Sequence, residues 1–477
     1  MSAPPLKQVG ECIYEVPRDF RPTMRVPARV FADAELVAQL ARDTSLEQLI
    51  NVASLPGVSR AVLGMPDMHQ GYGFPVGGVA ATAAPDGVIS PGGIGFDINC
   101  GVRLLASEVR RDEIREILPS LVHELSRSVP TGFGRDGQLA LSDEELDRVL
   151  DEGCSYLVRE RGLGHPEDLD LIESRGSLPG ADSAQVSERA KARGRGQLGT
   201  LGSGNHFLEV QHVDEIYDHR AAKKLGLFLD QVAVLIHSGS RGLGHQVCTD
   251  SVREMDEAGP RYGISLPDRQ LACAPLSSPE GQRYFAAMCA AANFAWCNRH
   301  MIAHRIREVF CRVLGDERAG LHLVYDVAHN IAKIETHGGE KLCVHRKGAT
   351  RAFGPSSPEI AERFRGVGQP IFIPGSMGTM SFVMVGCDES SEISLGSTCH
   401  GAGRALSRAA AKKQVTGQQL RKELESRGIV VKCASNNELA EEAPLAYKDV
   451  ERVVDVVHRA GIARKVARLR PLGVLKG

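Results

Sequence analysis

The chain has 477 residues, 42% hydrophobic and 24% charged, with a formal charge of -2. That length can bury a large core, and the near-neutral balance excludes a global basic field for nucleic acid, so any polyanion site has to be local. No apolar run is long enough to span a bilayer and the N-terminus lacks a signal-peptide core, so a cytoplasmic address without a membrane partner is expected.

Twelve cysteines are scattered singly with no CxxC pair, which argues against a disulfide framework. Cys289 and Cys311 stand in apolar contexts and read as small buried hydrophobes. Residues 1–60 read as scaffold, with a helical pattern from Asp33 to about Val52. From Ala61 to Thr82 glycine and proline interrupt nearly every apolar pair, which excludes a long helix. That segment is either a turn-rich connection between short strands or a loop that positions Asp67 and His69 near chemistry.

Gly92 to Arg103 then sets a carboxylate, Asp97, and a thiol, Cys100, three residues apart on glycine-rich backbone that lets a ligand approach closely. Residues 108–190 read mostly as helix and suggest a helical insertion flanking a cleft. Glycine returns at Gly196 to Val210, with His206 at the start of a strand pattern. The apolar strand Gln231–Ile236 runs into His237-Ser-Gly-Ser-Arg-Gly, a junction suited to anion binding by exposed backbone N–H groups. A long helix is expected from about Gly281 to Leu314. Its His300 and His304 lie one turn apart but lack the glutamate of HExxH, so a solvated or RNA-facing helix side is expected rather than a metal site.

Strand patterns at Leu321–Tyr325 and Leu342–His345 lead to Asp326-Val-Ala-His329-Asn330 and to the basic cluster Arg346–Arg351. Gly396 to Arg408 reads as a glycine loop opening a helix, with Arg404 and Arg408 sharing a face and N–H groups able to hold a phosphate. Helices are expected at Gly417–Arg427 and Tyr447–Ala467. From Glu451 to Gly477 seven Lys or Arg face two acids, which predicts a local basic surface. His206, His237, His329 and His400 all stand in or beside glycine-rich turns, mostly at strand ends, as Asp97 and Cys100 do. One thiolate, one carboxylate and several imidazoles form a ligand set for two transition-metal ions, with the thiolate able to bridge.

Six motifs occur in one order: Gly-Met-Pro-Asp-Met-His-Gln-Gly-Tyr-Gly-Phe-Pro, Gly-Phe-Asp-Ile-Asn-Cys-Gly-Val-Arg, Gly-Ser-Gly-Asn-His-Phe, His-Ser-Gly-Ser-Arg-Gly-Leu-Gly-His, Asp-Val-Ala-His-Asn and Cys-His-Gly-Ala-Gly-Arg. With this set, from about Gly64 to Lys476, the chain resembles the RtcB family of RNA-splicing ligases. The resemblance implies an enzyme that joins an RNA 3′-phosphate or 2′,3′-cyclic phosphate to a 5′-hydroxyl, using GTP and two manganese ions. It also brings an archease-like activator into consideration as a partner.

By the same matching, His400 is the nucleophile that takes GMP from GTP. Cys100 bridges the metals, with Asp97 and His206 on one and His237 and His329 on the other. Asn205 touches phosphates, Glu209 selects guanine, Tyr447 stacks on the base and Lys476 reaches it. Phe207, Ser376, Ser381 and the Gly401-Ala402-Gly403 turn fall among nucleotide contacts. Arg241, Lys347, Arg351, Arg404 and Arg408 are candidates for RNA or GTP phosphates. The implied fold is α+β: one large domain over 1–477, with mixed β-sheets around a deep metal-lined cleft and helices outside.

Two rivals differ in class. A binuclear metal phosphoesterase needs neither His400 in an intact Cys-His-Gly-Ala-Gly-Arg loop nor a terminal Lys476, and a non-catalytic RNA-end binding protein has no use for a bridging thiol. Thiolate with imidazole is a softer set than manganese prefers, and zinc stands above manganese in affinity. Zinc is therefore expected to inhibit ligation by displacing manganese; full activity in an end-joining assay with stoichiometric zinc alone would overturn this.

Overall fold

Runs of β-branched and small apolar residues, broken by glycine, dominate the strand segments, and in a computed structural model they assemble into two large sheets. The structure describes residues 4–40, 43–132, 134–315 and 320–477. The first sheet runs Lys7–Gly10, Ile13–Val16, Ala28–Phe31, Val58–His69, Val76–Ala83, Glu340–Lys347, Asn330–His337. Its pairs are antiparallel except Ala28–Phe31 with Val58–His69, which is parallel.

The second runs His322–Ala328, Gly101–Arg110, Gln231–Ser238, Phe207–Ile216, Ala463–Lys476, Ser381–Gly386, Pro370–Ile373. These pairs are all antiparallel, and Val430–Cys433 adds in parallel beside Ala463–Lys476. The fold is α+β with mixed sheets, as expected. Among the described residues no helix is long and apolar enough to cross a membrane.

Between Arg110 and Phe207 the described residues form helices and short 3-10 turns, including Leu118–Ser128, Asp143–Glu152 and Glu188–Gly194. Their apolar faces, with Leu121, Leu125, Leu146 and Val149, pack into the same core as the second sheet. The long helix runs Pro279–Leu314, two residues earlier than its periodicity suggests, because Ser278 caps it by accepting the Gly281 N–H at 3.1 Å and Pro279 suits the first turn. It is unlike the other helices in lying inside the core, buried without a break from Ala287 to Ala303. Alanines at 290–292 and 295 let the backbones around it approach closely.

Several local expectations are corrected. The helix at Asp33–Val52 is two helices, Ala34–Leu40 and Ser45–Val52. The segment from Val58 to His69 is one long strand with irregular register rather than short strands. His300 neither faces solvent nor RNA: its Nδ1 accepts from Arg103 Nη1 at 3.1 Å and its Nε2 donates to Leu163 O at 3.0 Å. His304 Nδ1 accepts the Gly164 N–H at 3.2 Å.

The glycine loop after Gly396 does not open a helix at Arg404. Helix Arg408–Gln414 starts later, where the Ser407 hydroxyl accepts from Ala410 N. Near the C-terminus the helix is only Val450–Arg459; Gly461, with φ +75°, turns the chain and Ala463–Lys476 is a strand inside the second sheet. The basic surface there is neutralised. Arg452, Arg459, Arg464 and Lys465 pair with Asp33, Glu11, Asp218 and Asp455, Arg468 and Arg470 share Asp214, and Lys476 is buried.

His300 and His345 are fully buried, and burial first of all holds each imidazole down to about 4. Both are neutral in the fold, whereas an unfolded histidine takes up a proton below about pH 6.5. The fold is therefore expected to lose stability as the pH falls from about 6.5 to about 4, by up to about 3 kcal/mol per group. Urea unfolding across that range should show a shallower loss in His345→Gln than in the wild type; equal slopes would contradict the assignment.

Candidate metal and nucleotide site

Strand register makes the site. In the second sheet four antiparallel neighbours pair Ala328 with Gly101, Gly101 with Ser238, and His237 with Phe207. Successive antiparallel strands alternate ends, so the C-terminal ends of two and the N-terminal ends of the other two meet at one rim. Cys100, His206, His237 and His329 stand at that rim. Lys476, paired with Phe207 in the fifth strand, joins them there.

The donor atoms converge closely. Cys100 Sγ lies 3.2 Å from His237 Nε2 and 3.4 Å from His206 Nε2. His206 Nε2 is 2.8 Å from Asp97 Oδ2, and His237 Nε2 is 3.3 Å from His329 Nε2. Two ligand groups result, Asp97–Cys100–His206 and Cys100–His237–His329, with the sulfur common to both.

His206 Nδ1 donates to Leu201 O at 3.0 Å, which turns its Nε2 lone pair inward. Burial above all holds His237 and His329 well below the ordinary imidazole value, so both are neutral. Burial opposes ionisation of Asp97, but His206 and Arg241 overcome it and hold the carboxyl below the usual range. Burial and then Asp97 push the Cys100 thiol well up in the bare protein; a bound cation reverses that balance. Lone pairs packed at these distances repel, and a pair of divalent cations fits the donor set by chemistry and by sharing of the sulfur.

His400 follows strand Ser397–Cys399 and enters the cluster from the opposite side, its ring centroid 4.9 Å from that of His329. Asp67, fully buried, accepts the His400 backbone N–H at 3.0 Å and lies 2.6 Å from His400 Nδ1, off the line of an N–H donor. Gly403, with φ +75°, is required here, since a Cβ would stand 2.2 Å from Asp67 O. Lys448 locks the same strand by donating to Met68 O at 2.6 Å and Pro66 O at 3.1 Å. Of the two readings open for Asp67 and His69, the structure places both at the site, with His69 Nδ1 on Asp67 O at 2.9 Å. The sequence motif held the signal for Asp67, but nothing in it indicated contact with His400, 333 residues away.

A cavity of about 450 Å³ opens beside the cluster, and its wall includes Asn205, Phe207, Ser376, His400, Tyr447 and Lys476. Gly401, Ala402, Gly403, Lys347, Arg404 and Arg408 also line it. Lys476 Nζ donates to His206 O at 2.8 Å, and burial brings its ammonium down to about 8. Lys347 Nζ is held by Tyr72 O at 2.6 Å and Phe74 O at 3.1 Å.

Glu442, which no motif flagged, gathers Arg404 (2.9 Å), Arg408 (3.0 Å) and the Tyr447 hydroxyl, and Arg404 covers the Tyr447 ring at 5.0 Å. Glu209 and Ser381 lie behind the wall, joined through Gln211 Nε2 at 2.6 and 3.0 Å, and Glu209 Oε1 is buried without a partner. Arg241 sits behind Asp97 with its Nε on Thr200 Oγ1 at 3.2 Å. Arg351 is not brought to this site; it lines a separate cavity and faces Glu173 and Glu359.

Comparison with known proteins gives the family of the chain. The family described as tRNA-splicing ligase RtcB matches residues 48–477. The tRNA-splicing ligase RtcB of Archaeoglobus fulgidus is 54% identical over 478 residues, 99% of each chain, and that of Thermococcus kodakarensis is 53% identical over 479 residues, again 99% of each. The RNA-splicing ligase RtcB of Mycobacterium tuberculosis is 52% identical over 437 residues, covering 90% of this chain and 100% of that one. With a match across nearly its whole length, this chain belongs to the tRNA-splicing ligase RtcB family.

Proposed function

We propose that the chain seals RNA 3′-phosphate or 2′,3′-cyclic phosphate ends to 5′-hydroxyl ends in a GTP- and manganese-dependent reaction. The observation that carries this reading is the position of His400: an imidazole beside Asp67, at the edge of two candidate ligand groups that share the Cys100 sulfur, with a nucleotide-sized cavity in front of it. A plain phosphoesterase has no need of such a nucleophile.

Asp97, Cys100, His206, His237 and His329 would hold the two cations, which when bound supply neutralisation of phosphate charge and activation of the leaving group. His400 Nε2 attacks the α-phosphorus of GTP; the N–P bond forms as pyrophosphate leaves. Asp67 offsets the positive charge that grows on the ring and holds its orientation. A terminal phosphate oxygen of the RNA then attacks the same phosphorus, the N–P bond breaks and His400 is freed. A cyclic phosphate is first opened by water.

The RNA 5′-hydroxyl finally attacks the 3′-phosphate, releasing GMP. Lys347, Arg404 and Arg408 on the wall supply positive charge for the phosphates. Glu209 Oε1, an unpartnered acceptor just behind the wall, and the ammonium of Lys476 suit guanine, whose pairing edge offers adjacent N1–H and N2–H donors to a carboxylate and the O6 acceptor to an ammonium, whereas adenine sets a single N–H donor beside an acceptor ring nitrogen. Burial alone keeps Glu209 up at about 8, and those donors favour its charged form.

Two outcomes follow. Incubation with α-labelled GTP and manganese, then denaturing electrophoresis, should leave label on the wild type and none on His400→Ala; label that persists in the variant, or none in the wild type, would sink the mechanism. Glu209→Gln should lose about 10- to 100-fold of the preference for GTP over ATP in the same labelling assay, and undiminished preference would remove Glu209 from guanine recognition.

A further inference from the structure

Asn298 and Arg299 are consecutive, fully buried residues of the long helix, and neither belongs to the ligand set or to the cavity wall. Arg299 Nη1 donates to Asn99 O at 2.7 Å and to Ser238 O at 2.9 Å. Its Nη2 donates to Asn99 Oδ1 at 3.1 Å and to Asp326 Oδ1 at 2.7 Å, and its Nε to Asp326 Oδ2 at 3.0 Å. Asn99 precedes Cys100, Ser238 follows His237, and Asp326 stands three residues before His329.

Asn298 completes the set. Its Nδ2 donates to Thr200 O at 3.1 Å, Ser238 Oγ at 3.0 Å and Gly239 O at 3.1 Å, while its Oδ1 accepts the N–H groups of Gly199 at 2.8 Å and Thr200 at 3.1 Å. The next carbonyl, Leu201 O, is the one that orients His206. Two adjacent side chains thus reach all four segments that carry Cys100, His206, His237 and His329.

The contacts exceed what a buried ion pair needs. Half of the Arg299 hydrogen bonds go to Asn99 and Ser238 rather than to its carboxylate. Asn99 itself takes a left-handed φ of +50°, fixed by its N–H on Asn330 O at 2.6 Å and its Nδ2 on Ala292 O at 2.6 Å. A side chain at Gly101 would place its Cβ 3.0 Å from the Arg299 guanidinium, so the fork fits flush against the strand that follows Cys100.

We infer that Asn298 and Arg299 are positioning residues for the metal-ligand group, fixing the backbone of four distant segments so that their donors converge before a cation arrives. This rests on the metal-dependent reading proposed above. The planar fork of arginine holds several acceptors at set angles, which lysine cannot do. Outer-shell contacts of this kind are worth about 10- to 100-fold in metal affinity.

The test uses the full chain, stripped of metal and titrated with cobalt(II), read by the sulfur-to-cobalt charge-transfer band. Arg299→Lys and the isosteric Asn298→Asp should each weaken cobalt binding about 10- to 100-fold. Arg307→Lys serves as comparator: it lies on the same helix, pairs with Asp168 at 2.8 Å and bonds Leu321 O at 3.0 Å, eight residues before His329, without reaching the residues beside any of the four donors. It should lower Tm and leave cobalt affinity unchanged. Wild-type affinity in folded Arg299→Lys and Asn298→Asp overturns the inference, as does an equal loss in Arg307→Lys. If Arg299→Lys fails to fold, Asn298→Asp decides alone. Absence of the charge-transfer band in the wild type refutes the metal reading itself, and this inference with it.

Discussion

Lone-pair donors brought to a single rim are the constraint on which this structure depends. Cys100, His206, His237 and His329 arrive at four separate strand ends, with Asp97 in the turn before Cys100, and neighbouring donor atoms stand 2.8 to 3.4 Å apart. Convergence of that kind is costly to a fold, because buried polar atoms without compensating charge or donors are destabilising. The long central helix resolves part of the cost by satisfying the backbone around the donors, and under the proposed function a bound cation would resolve the rest.

The electrostatics of the interior follow the same plan. Arg103 and Arg299 both bond Asp326, so two guanidinium groups share one carboxylate behind the ligand group. Arg299 favours the ionised form of Cys100, against burial and Asp97, which together hold that thiol up. On the other side of the cavity Glu442 collects Arg404, Arg408 and Tyr447, which keeps these side chains extended along the wall rather than collapsed onto phosphate positions. Under the proposed function, a bound nucleotide would compete with Glu442 for those guanidinium groups.

Legibility in the sequence was uneven, for physical reasons. Asp97, Cys100, His206, His237, His329 and His400 stood out because they lie in or beside glycine-rich turns, mostly at strand ends, and the fold does bring them together; their individual roles were implied only by the resemblance to the RtcB family. The pairing of Asp67 with His400, and the role of Glu442, were not legible, since they depend on contacts hundreds or tens of residues apart that leave no local pattern. The start of the C-terminal strand, Ala463 to Ala467, was read as the end of a helix because Arg464 and Lys465 hide its alternation; their charges point to Asp218 and Asp455, as those of Arg468 and Arg470 do to Asp214. His300 and His304 drew attention as a spaced pair, while Asn298 and Arg299, whose side chains reach the segments around the donors, look unremarkable in a helix that also carries exposed polar residues such as Gln282, Glu308 and Arg312.

The central claim is that one sulfur serves two cations. Electron paramagnetic resonance of the manganese-loaded chain tests it most directly. Two ions sharing Cys100 should give an exchange-coupled spectrum that collapses to uncoupled manganese in Cys100→Ala. A single ion per chain, or two uncoupled ions in the wild type, would contradict the account.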